Sequence, residues 1–154
     1  MKNSIVVDAS VALKWFFEDE ADVDSARVLL GQWAEGGIGF TVPAHWPLEV
    51  LNGIRSAVLK KRVDAKRALE IADDFLKLGI GTTDIGAHSA QIFRTAVDLG
   101  RTTYDAAYVV LAERTGLELI TGDRRLFNAV HNQKPFVRYI GDREQKAPAD
   151  ESGR

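Results

Sequence analysis

The chain has 154 residues, a formal net charge of −2 and 45% hydrophobic residues, which is enough for one domain with a sizeable core. It contains no cysteine, so disulfide frameworks, thiolate nucleophiles and thiolate metal ligands are excluded, and a metal ion would need oxygen or histidine nitrogen ligands. We expect a soluble cytoplasmic protein, because Asp8 interrupts the N-terminal apolar run and no stretch is long enough to cross a membrane. The total charge neither favours nor excludes a nucleic acid partner.

Short β-branched runs alternate with helical patterns along the chain. The predicted order is a strand at SIVV, helices to Gly36, a strand at FTVP, helices to Leu78, a weak strand at IGTT, two helices, and strands at LELIT and FVRYI. Asp64 and Asp84 are predicted to cap the N-termini of helices, and Gly100 is predicted to end one. This alternation predicts an α/β fold with a mostly parallel sheet.

The domain organisation follows from where the apolar periodicity stops. No internal repeat or interdomain linker is evident in residues 1–141, which we assign to one α/β domain. From Asp142 the sequence DREQKAPADESGR has no apolar periodicity, so residues 142–154 are predicted to form a disordered polar tail.

Four acidic residues are predicted to meet at one edge of the sheet. Asp8 and Asp123 each follow an apolar strand, while Glu49 and Asp105 fall in the first turns of two predicted helices, the second with Thr103 as its N-cap. The carboxyl ends of parallel strands and the N-termini of the following helices share one edge, where α/β folds bind ligands. Four carboxylates are therefore expected to converge.

A purely structural role is open for each of these acids, because Asp and Glu near helix N-termini cap the helix and complement its dipole. The surroundings of two of these acids favour a catalytic role instead. Asp105 precedes AAYVVLA, which is apolar nearly all round and so predicted to be buried, where a lone carboxylate is costly. Glu49 shares a small polar helix face with Asn52 and Ser56. Asp84 also follows a predicted strand, so position alone does not separate it from the others.

Clustered carboxylates repel one another, and a hard divalent cation such as Mg²⁺ or Mn²⁺ relieves that repulsion. Such an ion orients a phosphodiester, assists deprotonation of an attacking water and stabilises the leaving oxygen. The arrangement therefore suits metal-dependent hydrolysis of a phosphodiester bond.

Four segments, VVDAS, PLEVLNGI, TTYDAAYVVLA and LITGDRRL, occur in this order and together resemble the PIN-domain ribonucleases, most nearly the VapC toxins of toxin–antitoxin pairs. The resemblance covers the chain from Ile5 to Ile140. It implies a three-layer α/β/α fold and an endoribonuclease that depends on Mg²⁺ or Mn²⁺. The catalytic and metal-binding residues that it implies are Asp8, Glu49, Asp105 and Asp123. The residues implied to orient carboxylates or water are Ser10, Asn52 and Thr121, and Asp84 matches no acid of the family and is left as a helix cap.

The resemblance also implies partners. It predicts an RNA substrate, a homodimer, and a cognate VapB-like antitoxin of the kind that often sends a basic side chain into the acidic pocket. VapC relatives cut structured RNAs, often tRNA or ribosomal RNA, and the sequence does not indicate which RNA this chain would cut. Lys14, Arg124, Arg125 and the segment LKKRV are candidates for contact with the RNA backbone.

Other chemistries fit the sequence less well. The three histidines, His45, His88 and His131, have no metal-ligand spacing and are expected to be surface or packing residues. A phosphatase of the haloacid-dehalogenase type with Asp8 as nucleophile would want a second aspartate where Ser10 stands. A catalytically silent PIN-like domain that binds RNA or a protein partner is the main alternative, and four clustered acids argue against it.

Overall fold

The computed structural model describes residues 3–143. The strands are β1 (Asn3–Val7), β2 (Ile38–Thr41), β3 (Leu119–Thr121) and β4 (Val137–Tyr139). The helices are α1 (Ala9–Phe16), α2 (Val23–Ala34), α3 (Trp46–Leu59), α4 (Ala65–Lys77), α5 (Ser89–Leu99), α6 (Thr103–Thr115) and α7 (Arg124–Val130). Two short 3-10 segments span Gly86–His88 and Ile140–Asp142. Apart from its first two residues, the predicted polar tail lies outside the described residues.

The sheet has four strands in the order β2-β1-β3-β4, and every pairing is parallel. The chain leaves β1 toward β2 on one side and later continues from β3 to β4 on the other. Because parallel crossovers are right-handed, this reversal places helices on both faces of the sheet. The predicted α/β/α architecture is confirmed, and the reversal between β1 and β3 creates the crevice where such folds bind ligands.

The core lies around the two central strands. Val6, Val7 and Leu119 are fully buried, and the whole run of α6 from Ala106 to Ala112 is buried as its all-round apolar pattern predicts. Trp46, with 1% of its surface exposed, packs against the rings of Trp15 and Phe75. None of the helices in residues 3–143 is long and apolar enough to cross a membrane.

Two details of the predicted elements differ from the structure. The predicted strand IGTT is wrong, because this segment forms only an isolated bridge between Thr83 and Pro43. Ile80 packs against the core, but residues 81–83 are exposed, so most of the segment has no buried face that would hold it in the sheet. The N-cap of α6 is Thr102 rather than Thr103, whereas the predicted caps at Asp64 and Gly100 are confirmed.

Candidate active site

Asp8 lies directly after β1 and caps the N-terminus of α1. Its Oδ1 accepts hydrogen bonds from the Val11 backbone N–H at 3.3 Å and from the Ser10 hydroxyl, and its Oδ2 accepts one from the Thr121 hydroxyl. The residue is only 5% exposed. Burial raises the pKa of Asp8 to about 6, although the hydrogen bonds from Ser10 and Thr121 act in the opposite direction. Asp8 is therefore a rigidly held carboxylate that is costly to ionise without a cation.

Asp123 follows β3 and is joined to Asp8 through a single side chain. The Asp123 backbone N–H donates to the Thr121 hydroxyl oxygen at 3.0 Å, and that hydroxyl donates in turn to Asp8. The Asp123 carboxylate caps α7, where its Oδ1 accepts from the Arg125 backbone N–H at 2.9 Å. The ends of the two central strands thus place both carboxylates at the crevice between β1 and β3.

The turn between Thr121 and Asp123 is held close to α1. The Gly122 backbone N–H donates to Ser10 Oγ at 2.8 Å, and a Cβ atom at Gly122 would lie 2.3 Å from Lys14 Cε. Lys14 is itself 3% exposed, and its ammonium donates to the Ala21 carbonyl at 2.8 Å. Lys14 is therefore a buried support beneath this turn, and the hypothesis that it contacts RNA is wrong.

Asp105 lies in the first turn of α6, where its backbone N–H donates to the Thr102 cap at 3.0 Å. Its Oδ2 lies 3.1 Å from Nε and 2.9 Å from Nη2 of Arg101. The same Nη2 is 4.0 Å from Asp123 Oδ2. The pKa of Asp105 is raised above its ordinary value, chiefly by burial and further by the charges of Glu49 and Asp123, although the Arg101 guanidinium acts in the opposite direction.

Glu49, in the first turn of α3, faces two ionisable rings. Its Oε1 lies 2.9 Å from Nε2 of His45, and neither of these two buried atoms makes a hydrogen bond. Tyr108 Oη is buried without a hydrogen-bond partner as well. Burial, followed by the charges of Glu49, Asp8 and Asp105, raises the pKa of Tyr108 well above its ordinary range. Buried, unpartnered polar atoms are uncommon and indicate that a ligand or water belongs beside them.

The four predicted acids influence one another electrostatically, and we call the region among Asp8, Glu49, Asp105 and Asp123 the acidic pocket. The negative charge of Asp123 acts on both Asp8 and Asp105, and that of Glu49 acts on Asp105. Even so, within residues 3–143 no three acidic or histidine side chains are grouped closely enough to form a ready metal cluster. Each acid is instead turned toward a partner in the protein.

The predicted supporting residues have different positions. Ser10 and Thr121 hold Asp8 directly. Asn52 is exposed on α3, and its supporting role stays a prediction. Asp84 is exposed and accepts from the Gly86 backbone N–H at 2.8 Å in the turn before α5, and the prediction that it caps α5 is wrong, because the N-cap of α5 is His88.

Sequence reasoning missed Arg101 and assigned His45 to the surface or to packing. Each precedes an acid of the pocket by four residues, as Arg101 precedes Asp105 and His45 precedes Glu49. Residues at that spacing lie on one face of a helix, so it was an available signal.

The pocket fits a hard divalent cation by the chemistry of its donors. All four acids offer carboxylate oxygens, which Mg²⁺ and Mn²⁺ prefer. Asp8 is buried with a raised pKa, and Oε1 of Glu49 is buried without a hydrogen-bond partner. A cation would satisfy both groups, and it would draw Glu49 and Asp105 away from their present partners.

Comparison with known proteins identifies relatives across most of the chain. The family model described as the PIN domain matches residues 5–132. Ribonuclease VapC12 of Mycobacterium tuberculosis is 32% identical over 122 residues, which cover 79% of this chain and 88% of that protein. VapC ribonuclease Mb0985 of Mycobacterium bovis is 29% identical over 133 residues, which cover 86% of this chain and 96% of that protein.

Two solved structures have the same fold. PAE2754 from Pyrobaculum aerophilum matches with a TM-score of 0.64 and 22% identity, covering 91% of this chain and 92% of that chain. VapC20 of Mycobacterium tuberculosis, a toxin that cleaves the sarcin–ricin loop, matches with a TM-score of 0.57 and 17% identity, covering 82% of this chain and 95% of that chain. At these identities the two structures support the fold.

Proposed function

This chain belongs to the PIN-domain family and is a ribonuclease of the VapC type, and from that premise we propose that a divalent metal ion in the acidic pocket drives its hydrolysis of RNA. The observation that carries this proposal is the buried carboxylate of Asp8. It lies at the reversal point of the sheet and is joined to Asp123 through the Thr121 hydroxyl. A carboxylate that is costly to ionise alone is well suited to hold a cation.

The residues proposed to hold the ion, Mg²⁺ or Mn²⁺, are Asp8, Glu49, Asp105 and Asp123. When bound, the ion supplies a Lewis acid for the phosphate oxygens and a lower pKa for the attacking water. The chain itself holds the carboxylate ligands in position. Ser10 and Thr121 fix both oxygens of Asp8, and the cap of α7 fixes Asp123. A metal ligand set whose orientation is fixed by such hydrogen bonds binds more tightly than a free one.

The expected partners are RNA, a VapB-like antitoxin and a second copy of the chain, and the expected compartment is the cytoplasm. An exposed apolar patch on α5 supports a protein partner. Phe93 and Val97, one helical turn apart, are 63% and 64% exposed, and large exposed apolar side chains are typical of interaction surfaces. A basic side chain of an antitoxin would find complementary charge in the acidic pocket.

Cleavage of RNA by purified, antitoxin-free protein tests the proposal. We expect cleavage with Mg²⁺ or Mn²⁺, its loss in excess EDTA, and its return when the metal ion is added back. Cleavage that persists in EDTA would contradict the metal-dependent mechanism. Folded protein that binds RNA but cuts none under any metal condition would favour a catalytically silent domain. Mapping the ends of the products would identify the RNA and the bond that is cut.

A further inference from the structure

Arg101 lies in the short link between α5 and α6, beside the acidic pocket. Gly100 ends α5 in the left-handed conformation with φ 63°, and the Arg101 backbone N–H donates to the Ala96 carbonyl at 3.0 Å. The next residue, Thr102, is the N-cap of α6. The backbone of Arg101 is therefore fixed by two helix ends, so its side chain always begins next to the first turn of α6.

The guanidinium of Arg101 contacts carboxylate oxygens of Asp105 and Asp123, two of the proposed metal ligands. Its Nη2 and Nε are 2.9 and 3.1 Å from Asp105 Oδ2, and Nη2 is 4.0 Å from Asp123 Oδ2. Its side chain is 24% exposed, so solvent screens these contacts only in part. Hydrogen bonds between a guanidinium and a carboxylate are among the stronger ones in proteins.

A divalent cation and a guanidinium cannot share Asp105 Oδ2 at these distances without strong repulsion. Asp105 Oδ2 accepts a hydrogen bond from Nε of Arg101 and lies 2.9 Å from Nη2, so a metal ion on this oxygen would face the guanidinium charge at close range. A metal ion on Oδ2 would therefore have to displace the guanidinium, and one on the other oxygen, Oδ1, would still lie close to its positive charge. The contact is an alternative to the metal ion rather than a support for it.

We propose that Arg101 is an internal counter-ion of the acidic pocket, which neutralises Asp105 and Asp123 in the metal-free protein and competes with the divalent cation for them. This inference rests on the proposed function, since it takes the pocket to be the metal site. It makes Arg101 a residue that sets metal affinity without itself touching the reacting phosphate.

The direction in which removal of Arg101 changes metal affinity distinguishes a competing role from a merely structural one. If Arg101 helped to build the metal site, its removal would weaken metal binding, as loss of an orienting residue does. If it competes, its removal strengthens metal binding and at the same time destabilises the metal-free protein, because two carboxylates lose their counter-charge.

Titration calorimetry of the full chain with Mn²⁺ alone, without RNA, measures the Kd for the metal ion in the parent and in each variant. We expect Arg101→Gln to lower the Kd for Mn²⁺ by about 3- to 10-fold, the range that a partly exposed ion pair supports. Arg101→Lys should fall between the parent and Arg101→Gln, because a lysine keeps the charge without the two-pronged contact. In EDTA, Arg101→Gln should melt lower than the parent, and saturating Mn²⁺ should close that gap.

Arg114→Gln is the matched control. Arg114 lies near the opposite end of α6 from Asp105, and its Nε donates to Gln91 Oε1 of α5 at 2.9 Å. Its replacement should leave the Kd for Mn²⁺ unchanged.

The possible results have distinct meanings. A parent that binds Mn²⁺ and an Arg101→Gln variant that binds it equally or more weakly would overturn the competition and leave the metal site standing. Absence of Mn²⁺ binding in both proteins would overturn this inference together with the proposed metal site. If Arg101→Gln fails to fold, Arg101→Lys decides by the same sign, since an unchanged or higher Kd there would also overturn the competition.

Discussion

The two sides of the acidic pocket hold their carboxylates by different means. On the strand side, Asp8 and Asp123 are held by hydroxyl groups and by backbone amides at the starts of helices. On the helix side, Glu49 lies against His45 and Asp105 lies against a guanidinium. The strand side depends on neutral donors fixed by the fold, whereas the helix side depends on side chains that rotation can remove.

This difference means that only half of the proposed metal ligands are fixed in place before a cation binds. The donors on the strand side remain in place whether or not a cation is present, because the same bonds that hold them also cap α1 and α7. In the proposed metal site, the acids on the helix side would bind a cation in competition with these partners. We therefore expect the strand side to decide whether the site exists and the helix side to tune its affinity.

The largest expected effect comes from neutralising a carboxylate of the strand side. Asp8→Asn should lower RNA cleavage by at least about 100-fold, since it removes metal-binding charge with little change of volume. Asp105→Asn should behave similarly if both sides hold one cation. Cleavage rates on an RNA that the parent cuts, with circular dichroism to confirm folding, measure this effect. The matched control is Asp84→Asn, which should retain parental activity, because Asp84 is an exposed turn residue outside the pocket. Parental activity of Asp8→Asn would show that the wrong acids were chosen.

The second prediction concerns stability without metal. The folded pKa of Asp8, about 6, lies above the ordinary value of 3.8, chiefly because of burial and only to a small degree because of repulsion by Asp123. The folded protein therefore binds the proton more tightly than the unfolded chain, so stability in EDTA rises as pH falls through about 6 toward 4 and is lost as pH rises again. The full difference is about 3 kcal/mol.

Calorimetry in EDTA between pH 5 and pH 8 measures this contribution. Asp8→Asn should melt higher than the parent at pH 8, by less than the full amount because some hydrogen bonds to the carboxylate are lost. The two melting temperatures should approach each other near pH 5. A parent whose melting temperature is independent of pH over this range would mean that Asp8 is not a strained carboxylate.

The third prediction concerns a substitution in the turn between Thr121 and Asp123, on the strand side. Gly122→Ala places a methyl group 2.3 Å from Lys14 Cε, and this side chain is buried with its ammonium bound to the Ala21 carbonyl, so it has to shift within packed surroundings. We expect a loss of about 1 to 3 kcal/mol in the free energy of unfolding, measured by urea titration, together with lower RNA cleavage. The control is Gly31→Ala, where an added Cβ meets nothing within 4 Å and helix propensity predicts no loss. Equal stability of the two variants would mean that the turn is not tightly constrained.

The smallest expected effects are changes in cleavage rate when one supporting residue on each side is replaced. Ser10→Ala removes a hydroxyl that donates to Asp8 and accepts from the Gly122 amide, and we expect about a 10-fold loss of cleavage. His45→Gln removes a partner that a metal ion would displace in any case, so cleavage should stay within about 3-fold of the parent. Rates measured at saturating Mn²⁺ give the comparison. A larger loss in His45→Gln than in Ser10→Ala would reverse the assignment of the two sides.

The strand side could be predicted well from sequence. Apolar runs that end in an acid place Asp8 and Asp123 at the ends of parallel strands, and the order of elements brings those ends together. The weak segment IGTT misled because its β-branched residues suggested a strand, while joining the sheet depends on a buried partner face. The shift of the α6 cap from Thr103 to Thr102 reflects two adjacent threonines that cap equally well.

The helix side could be predicted only in part. Sequence placed Glu49 and Asp105 in the first turns of helices, but it did not identify what their carboxylates contact. Those contacts depend on the directions of the side chains of Arg101 and His45, which periodicity does not specify. The spacing of four residues to an acid was present in both cases, yet such pairs are common on solvent-exposed helices and rarely mark a site.

The central claim is that acids from both sides hold one divalent cation, and Mn²⁺ titration calorimetry on a double-mutant cycle tests it most directly. The cycle compares the parent with Asp8→Asn, Asp105→Asn and the double variant. If one cation is shared, each single change should remove most of the binding, and the second change should add much less than the first. Full Mn²⁺ affinity in either single variant, or losses from the two sides that simply add, would contradict a shared site.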